Sequence, residues 1–192
     1  LTFLIKNVDV KSHDYASIAN VFRPGHADFG YYAKYGVRDY RGGGRSSARE
    51  TVGRVIAGAV ARQLLSTAHI DIRGAVVQIG KIEAKHFNWE QVEDNEVRSV
   101  DPDTVTEMIA EVQSAREQLD SVGGVVEVQA LGVSPGLGEP VFGRLDAYLA
   151  GALMSIPAAK GVEIGLGFKA ARMRGSQTND QFFPDGFHTN AH

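Results

Sequence analysis

Apolar residues recur at helical spacing in three stretches of the chain and at alternate positions between them. Val52, Val55, Ile56, Ala59, Val60 and Leu64 follow a period near 3.6, which predicts a helix over residues 48–68. Its polar positions Glu50, Arg54 and Arg62 fall on one narrow stripe, so the helix is expected to be buried over most of its surface. Glu50 and Arg54 are spaced as an i,i+4 pair. Residues 70–82 alternate through Ile70, Ile72, Ala75, Val77 and Ile79 and predict a strand. Asp101 and Pro102 signal a second helix, with Asp as cap and Pro in the first turn. Val105, Ile109, Val112 and Leu119 give that helix its apolar face, and Gly123-Gly124 marks its expected end. A strand follows over residues 125–133. A third helix is expected over residues 144–156, with Leu145, Leu149, Ala152, Leu153 and Ile156 facing inward and Pro157 ending it. Residues 161–168 read as a last strand whose glycines permit close backbone approach.

The remaining segments are less regular. Residues 1–5 form a short apolar run, expected as a buried strand, and residues 7–20 are polar. Residues 21–28 contain a Pro-Gly turn signal, and Tyr31, Tyr32, Tyr35 and Tyr40 mark an aromatic, loop-like segment. The mixed, acidic stretch 83–100 around Trp89 reads as a surface excursion, while 134–140 and 173–192 read as loops. The order strand, helix, strand, helix, strand, helix, strand predicts a layered α/β sandwich. The linkers are compatible with either parallel or antiparallel pairing.

Composition narrows the function classes. With 192 residues and a net charge of −3, the chain is long enough for one domain with a core or for two small ones. It has no cysteine, which excludes disulfides and thiolate metal sites. The acidic balance argues against general nucleic-acid binding. No run approaches the ~18–20 apolar residues of a membrane-spanning helix. No His-x-x-x-His or His/Asp cluster has ligand spacing, so no metal site is expected. The chain opens directly on an apolar run without Met and stops on a polar one, so it is expected to be the interior of a longer chain, with residues 1–192 part of a single domain.

The chemistry concentrates around residues 41–51, RGGGRSSARET. Ser47-Ala-Arg-Glu50 fits a capping box, in which Ser47 accepts from the Glu50 amide and Glu50 reaches back. The same geometry suits an anion. A helix N-terminus exposes amides and partial positive charge, glycines let the backbone fold over a ligand, and Arg41, Arg45 and Arg49 add paired donors. Arg49 sits in the first turn, where a cation opposes the helix dipole, and a bound anion would remove that conflict. No Walker-type phosphate loop occurs. His26, between Arg23 and Asp28 in a glycine turn, reads either as a surface or capping residue or as a group that carries a proton near neutral pH.

Several motifs resemble one family. RPGHAD at residues 23–28, KYGVRDYRGGGRSSARET at 34–51, GEPVF at 138–142 followed by Arg144-Leu-Asp146, ALMSI at 152–156, KGVEIG at 160–165 and GSQ at 175–177 resemble chorismate synthase. The likeness runs over essentially the whole chain and corresponds to the middle of that family's chain. The family's early Gly-Glu-Ser-His-Gly and late Gly-Arg-His-Asp motifs do not occur here.

The resemblance implies a β-α-β sandwich, incomplete because the flanking segments are absent. It also implies a lyase of the shikimate pathway of aromatic amino acid biosynthesis. That flavoprotein eliminates phosphate from 5-enolpyruvylshikimate 3-phosphate in a 1,4-anti sense, giving chorismate, and requires reduced FMN. The flavin is reduced either by the enzyme with NADPH or by an outside source. A cytoplasmic homotetramer is implied, with a small-molecule substrate and no nucleic acid or membrane. Position by position, His26 resembles the histidine that supplies a proton to the reduced cofactor. Arg23 and Arg49 resemble substrate-facing arginines. Arg45, Ser46 and Ser47 match the FMN-contacting run, with Ser47 also facing substrate. Pro157 and Ala158 align with a flavin-contacting segment in which other members can have Asn at the position of Pro157. The alternative is a flavin-binding or assembly fragment, catalytically incomplete on its own.

Overall fold

The computed structural model describes residues 1–8, 11–41 and 47–187. Helices and strands are mixed, as expected from the alternation of periodicities. The chain divides into two compact units, residues 1–57 with 136–192 and residues 58–135. Among the described residues, no helix is long and apolar enough to cross a membrane.

The second unit is built on an antiparallel sheet. Strand β1 (Asp71–Ile79) lies between β2 (Ile82–Glu83) and β3 (Gly124–Leu131). Asp71 stands opposite Leu131 and Ile79 opposite Gly124, with a bulge at Val77 where the register shifts. The sheet therefore settles the open question of direction for these strands. Arg73 and Gln129 are cross-strand partners, and the guanidinium donates to Gln129 Oε1 through Nε at 3.1 Å and Nη2 at 2.8 Å.

Residues 83–100 lie mostly at the surface, as their acidic composition suggested, but Val92, Ser99 and Val100 within them are buried. Val76 donates to the Arg98 carbonyl and accepts from the Val100 amide, at 2.9 and 3.1 Å, so residues 98–100 lie along β1 in the parallel sense. This places Val100 and Ser99 in full burial, where Val100 joins Ala75 and Val92 in the core and Val77, Ala84 and Trp89 pack around them. Main-chain pairing to a central strand, rather than periodicity, buries Ser99 and Val100 at the end of the segment. The guanidinium of Arg73 sits 4.5 Å from the centre of the Trp89 ring.

The cap predicted at Asp101 is present. Its Oδ1 accepts from the Asp103 amide at 3.2 Å, Pro102 begins a 3-10 turn (Pro102–Thr104), and α3 (Val105–Glu117) continues from it. The residue of α3 that is fully buried is Met108, which falls on the same face as Val105, Ile109 and Val112. The helix ends earlier than the Gly123-Gly124 pair. Leu119 turns into the left-handed region (φ 55) and the Asp120 amide closes on the Ala115 carbonyl at 2.9 Å. That reversal leaves Leu119 exposed instead of on the apolar face.

The first unit contains the shorter elements. Residues 1–5 have no strand partner among the described residues, and Leu1, Phe3, Leu4 and Ile5 are exposed. Apolar character alone does not make a buried strand without a ladder to join. The tyrosine segment expected as a loop is instead helix α1 (Asp28–Tyr35). Asp28 lies in its first turn, Tyr31 and Tyr35 stack one turn apart at 5.6 Å, and Gly36 (φ 70) returns its amide to the Tyr32 carbonyl at 2.8 Å. The helix predicted over 48–68 is observed as a 3-10 turn (Ala48–Thr51) leading into α2 (Val52–Thr67). Its expected burial is not: Val55 and Leu64 are more than two-thirds exposed. The division between the two units falls within α2.

Helix α4 (Leu145–Met154) matches its prediction to within two residues, yet Leu145, Leu149 and Ile156 are exposed rather than inward. The strand expected over 161–168 does not form. Gly165 (φ 60) and Gly167 (φ 52) bend the chain into a 3-10 turn (Gly167–Arg172), and the Glu163 carboxylate accepts from the Phe168 amide at 3.3 Å. Within the expected terminal loop lie a single helical turn, α5 (Gly175–Thr178), and a hairpin of β4 (Phe182–Phe183) and β5 (Gly186–Phe187). Phe182 and Phe187 meet edge to face at 5.0 Å in that hairpin.

Candidate active site

The RPGHAD segment folds as a closed loop around His26. Gly25 takes φ 69, a conformation that suits glycine, and the His26 amide returns to the Arg23 carbonyl at 3.3 Å. Asp28 closes the loop from the other side. Its carboxylate accepts Arg23 Nε at 2.9 Å on Oδ2 and Arg23 Nη2 at 3.0 Å on Oδ1, a two-pronged pair, and also the Arg23 backbone amide at 3.2 Å. Arg38 donates to the same Oδ2 from Nη1 at 2.8 Å.

This network is buried at its centre. The Asp28 and Arg38 side chains are each 9% exposed, while Arg23 is 28% exposed. Arg38 also donates to three main-chain carbonyls, those of Val21 at 2.8 Å, Ile18 at 3.3 Å and Ala19. Ile18 ends the 3-10 turn Ser12–Ile18, and its carbonyl also accepts from the Val21 amide at 3.2 Å, so the guanidinium adds a cation to a helical end where one is favourable. The Arg23 fork holds the Asp28 carboxyl well below the usual carboxylate range. Burial opposes this, and Arg38 adds to it. The reciprocal effect raises Arg23, through its hydrogen bonds to Asp28.

The structure places His26 at the exposed turn of this loop. Its Nδ1 is 3.0 Å from the Pro24 carbonyl oxygen. A carbonyl can only accept, so Nδ1 carries the hydrogen and donates, which leaves Nε2 as the ring nitrogen not engaged by Pro24. His26 is thus three residues from one end of the clamp and two from the other.

The second group of predicted residues lies around the start of α2. Arg41 pairs with Asp39 through Nε and Nη2, both at 2.9 Å, and holds the Asp39 carboxyl down to about 2. Arg41 is therefore committed to a neighbour rather than presented alone. Arg45 and Ser46, with Gly42–Gly44, lie outside the described residues. Ser47 caps the helical start, but its Oγ accepts from the Arg49 amide at 3.4 Å rather than from Glu50. The first turn is of the tighter 3-10 kind, and the Glu50 amide is already taken by the Ser47 carbonyl at 3.1 Å. Arg49 is half-buried.

Arg54 does not serve as the helix-surface partner of Glu50. Its Nη2 instead donates to the Ser155 carbonyl at 3.0 Å. Ser155 is the C-terminal cap of α4, where a cation is favourable. This bond brings the beginning of α2 beside the segment holding Pro157 and Ala158. There the Ala159 amide returns to the Ile156 carbonyl at 3.1 Å, and Ala158 occupies φ 69. A left-handed alanine costs about 1–2 kcal/mol, and such outliers gather at sites of function. The structure thus ties the first turn of α2 to the end of α4, two residues before Pro157, through Arg54. It binds Arg23 to Asp28, and His26 lies between them in the chain with its amide on the Arg23 carbonyl. Among the described residues, no hydrogen bond or ion pair links the two groups.

The sequence reading did not single out Arg38 or Arg54. Arg38 lies inside the RDYRGGG run, but its partners are ten to twenty residues away, so no local spacing betrays it. Arg54 was given to its helical neighbour on spacing alone, while its true partner is 101 residues on. Among the described residues, no group of three or more His, Asp and Glu side chains is placed to hold a metal ion. The donors around the start of α2 are amide, hydroxyl and guanidinium groups, a set that fits the phosphate of a cofactor such as FMN.

Comparison with known proteins agrees with the motifs. A model of the chorismate synthase family matches residues 1–192. A chorismate synthase from Methanosarcina mazei is 55% identical over 186 residues, which is 95% of this chain and 51% of the relative. A crystal structure of chorismate synthase superimposes with a TM-score of 0.79 at 41% identity, covering 86% of this chain and 56% of that one. The chain spans about half the length of the relatives it matches, and over that span it belongs to the chorismate synthase family.

Proposed function

We propose that the intact protein is a carbon–oxygen lyase that converts 5-enolpyruvylshikimate 3-phosphate to chorismate in aromatic amino acid biosynthesis. The observation that carries this reading is the RPGHAD loop, which holds an exposed His26 beside an arginine fork bound to a buried carboxylate. The 1,4-anti elimination breaks a ring C–H bond and the C–O bond to phosphate and forms one C=C bond, so there is no net oxidation. Reduced FMN, when bound, supplies the electron-rich ring that the reaction requires and is kept reduced by NADPH or by an outside donor.

The chain's own residues divide the work by chemistry. Arg23 and Arg49 hold the anionic groups of the substrate, and their charge offsets the negative charge that grows on the departing phosphate. Ser47, with Arg45 and Ser46, holds the cofactor at the beginning of α2, and Ser47 reaches the substrate as well. Pro157 and Ala158 flank the cofactor from the turn that Arg54 ties to α2. His26 carries a proton at Nε2 toward the cofactor, with Nδ1 fixed on Pro24. The family resemblance supports a cytoplasmic homotetramer as the working form.

For residues 1–192 taken alone, coverage of about half of each relative favours a second reading, a flavin-binding or assembly fragment. One assay separates the two. The full-length protein and the 192-residue chain are each mixed with reduced FMN and the enolpyruvyl substrate, and chorismate is followed by absorbance. Chorismate that forms only with reduced flavin supports the lyase. Binding without turnover by the 192-residue chain supports the fragment. His26→Ala is expected to lower turnover about 100-fold with flavin still bound, the scale of a positioned acid or base. Wild-type turnover in that variant removes His26 from the reaction.

A further inference from the structure

We propose that Arg38 is a positioning residue for this site: by bridging the Asp28 carboxylate to the carbonyls of residues 18, 19 and 21, it fixes the loop that carries Arg23 and His26. The proposal rests on the reading of Arg23 and His26 given above.

Three observations converge on it. First, Arg38 is as buried as Asp28, each with a side chain 9% exposed, while Arg23 at 28% faces outward. Arg38 is therefore behind the site and not in it. Second, Arg38 uses both ends of its fork. Nη1 reaches Asp28 Oδ2 and the Val21 carbonyl, each at 2.8 Å, and Nη2 reaches the carbonyls of Ile18 and Ala19. A planar, multi-donor group can span carbonyls and a carboxylate at once, and a point charge cannot. Third, Asp28 is bound to Arg23 at three places, Nε, Nη2 and the backbone amide. Whatever fixes Asp28 therefore fixes the side chain and the main chain at the start of the loop, with His26 held between.

Charge adds a second consequence. Arg23 and Asp28 alone sum to zero, and a neutral pair attracts an anion weakly. Arg38 brings the cluster to +1, so Arg23 keeps attraction for an anionic substrate even while its fork is engaged with Asp28. The Phe22 ring lies 5.6 Å from the Arg38 guanidinium, within reach of a cation–π contact.

The test uses the full-length enzyme with Arg38→Met and Arg38→Lys. Arg38→Met removes charge and span together, and kcat/KM is expected to fall about 100-fold, the scale of a misplacement near 1 Å. Arg38→Lys keeps the charge and is the safer variant for folding. It is expected to remain about tenfold below wild type, because one ammonium cannot hold the carboxylate and three carbonyls together. Full recovery by lysine overturns the positioning role. A cycle with Arg23→Ala sharpens this: in that background, Arg38→Lys is expected to change KM less than twofold, since its effect on substrate passes through Arg23. An equal KM increase in both backgrounds contradicts the proposal. A crystal structure of Arg38→Lys decides the geometry without reference to activity, with the Arg23 fork expected to leave Asp28. An unchanged Arg23–Asp28 pair overturns the proposal. If Arg23→Ala alone leaves KM unchanged, the reading of Arg23 as substrate-facing falls, and that crystal structure still decides the role of Arg38.

Discussion

Each unit of the molecule is organised around a buried aspartate, and the two are satisfied in different ways. Asp101, 1% exposed, accepts only main-chain amides, those of Lys85 at 2.7 Å, His86 at 3.0 Å and Asp103 at 3.2 Å. Around it are Ser99, Thr104, Val100 and Met108, all buried. Asp28 instead accepts two arginine side chains and one amide, with no buried hydrophobic residue of its own unit among the described residues. Amide partners make a carboxylate a staple of the fold, since they leave it no freedom and no net positive surroundings. Arginine partners leave cationic edges that a ligand can use. The same residue type is held by main-chain amides in one unit and by guanidinium groups in the other, and the second arrangement is the one proposed to prepare a site.

The comparison breaks most readily at Asp101. Asp101→Ala removes the buried carboxylate that three amides donate to and is expected to cost about 4 kcal/mol of stability, read from the urea midpoint of unfolding. A cost below about 1 kcal/mol would show that these amides find other partners. Met108→Ala is expected to cost about 3 kcal/mol, typical of a fully buried side chain, with KM for the substrate unchanged. A raised KM there would mean that the two units do not divide stability from binding. Asp28→Asn is expected to cost about 2 kcal/mol of stability, below the range for a wholly buried pair because Arg23 is 28% exposed. Its larger signature is a rise in KM, since the neutral amide no longer holds the arginine fork. Unchanged KM would return Asp28 to a purely structural role.

Acid is the mildest probe. For Asp101, burial pushes the carboxyl up, but the three amides outweigh it and the net shift is downward, as it is for Asp28. A lowered carboxyl contributes stability that is complete above its unfolded value, about 4, and is lost as pH falls through its folded value. Stability measured in urea is therefore expected to hold from pH 7 to about 4 and to decline below that. Asp28→Asn and Asp101→Asn should each flatten the decline. An acid limb that neither variant alters would contradict the assignment of these carboxylates as its source.

What the sequence revealed depended on where each signal resides. The period of α2, the alternation of β1 and β3 and the Asp101-Pro102 cap are local, and all appear where expected. Burial was less legible because it depends on distant partners. Ser99 and Val100 are buried by main-chain pairing around Val76, which leaves no mark in hydrophobicity, and the exposed face of α4 looks inward by composition alone. Helix α1 was hidden because tyrosines and glycine are modest helix formers, while Asp28 and Gly36 at its ends carried the stronger signal. At the site, the RPGHAD motif named Arg23, His26 and Asp28, but Arg38, which holds Asp28, becomes visible only when segments ten to twenty residues apart are brought together.

The central claim is that the clamped RPGHAD loop and the beginning of α2 form the binding place for two phosphorylated molecules. A crystal structure of the full-length protein soaked with FMN and the enolpyruvyl substrate tests it most directly. The account predicts the substrate on Arg23 and Arg49, the FMN phosphate at Ser47, and His26 Nε2 facing the flavin ring. Both ligands bound well away from Ser47 and His26 would contradict it.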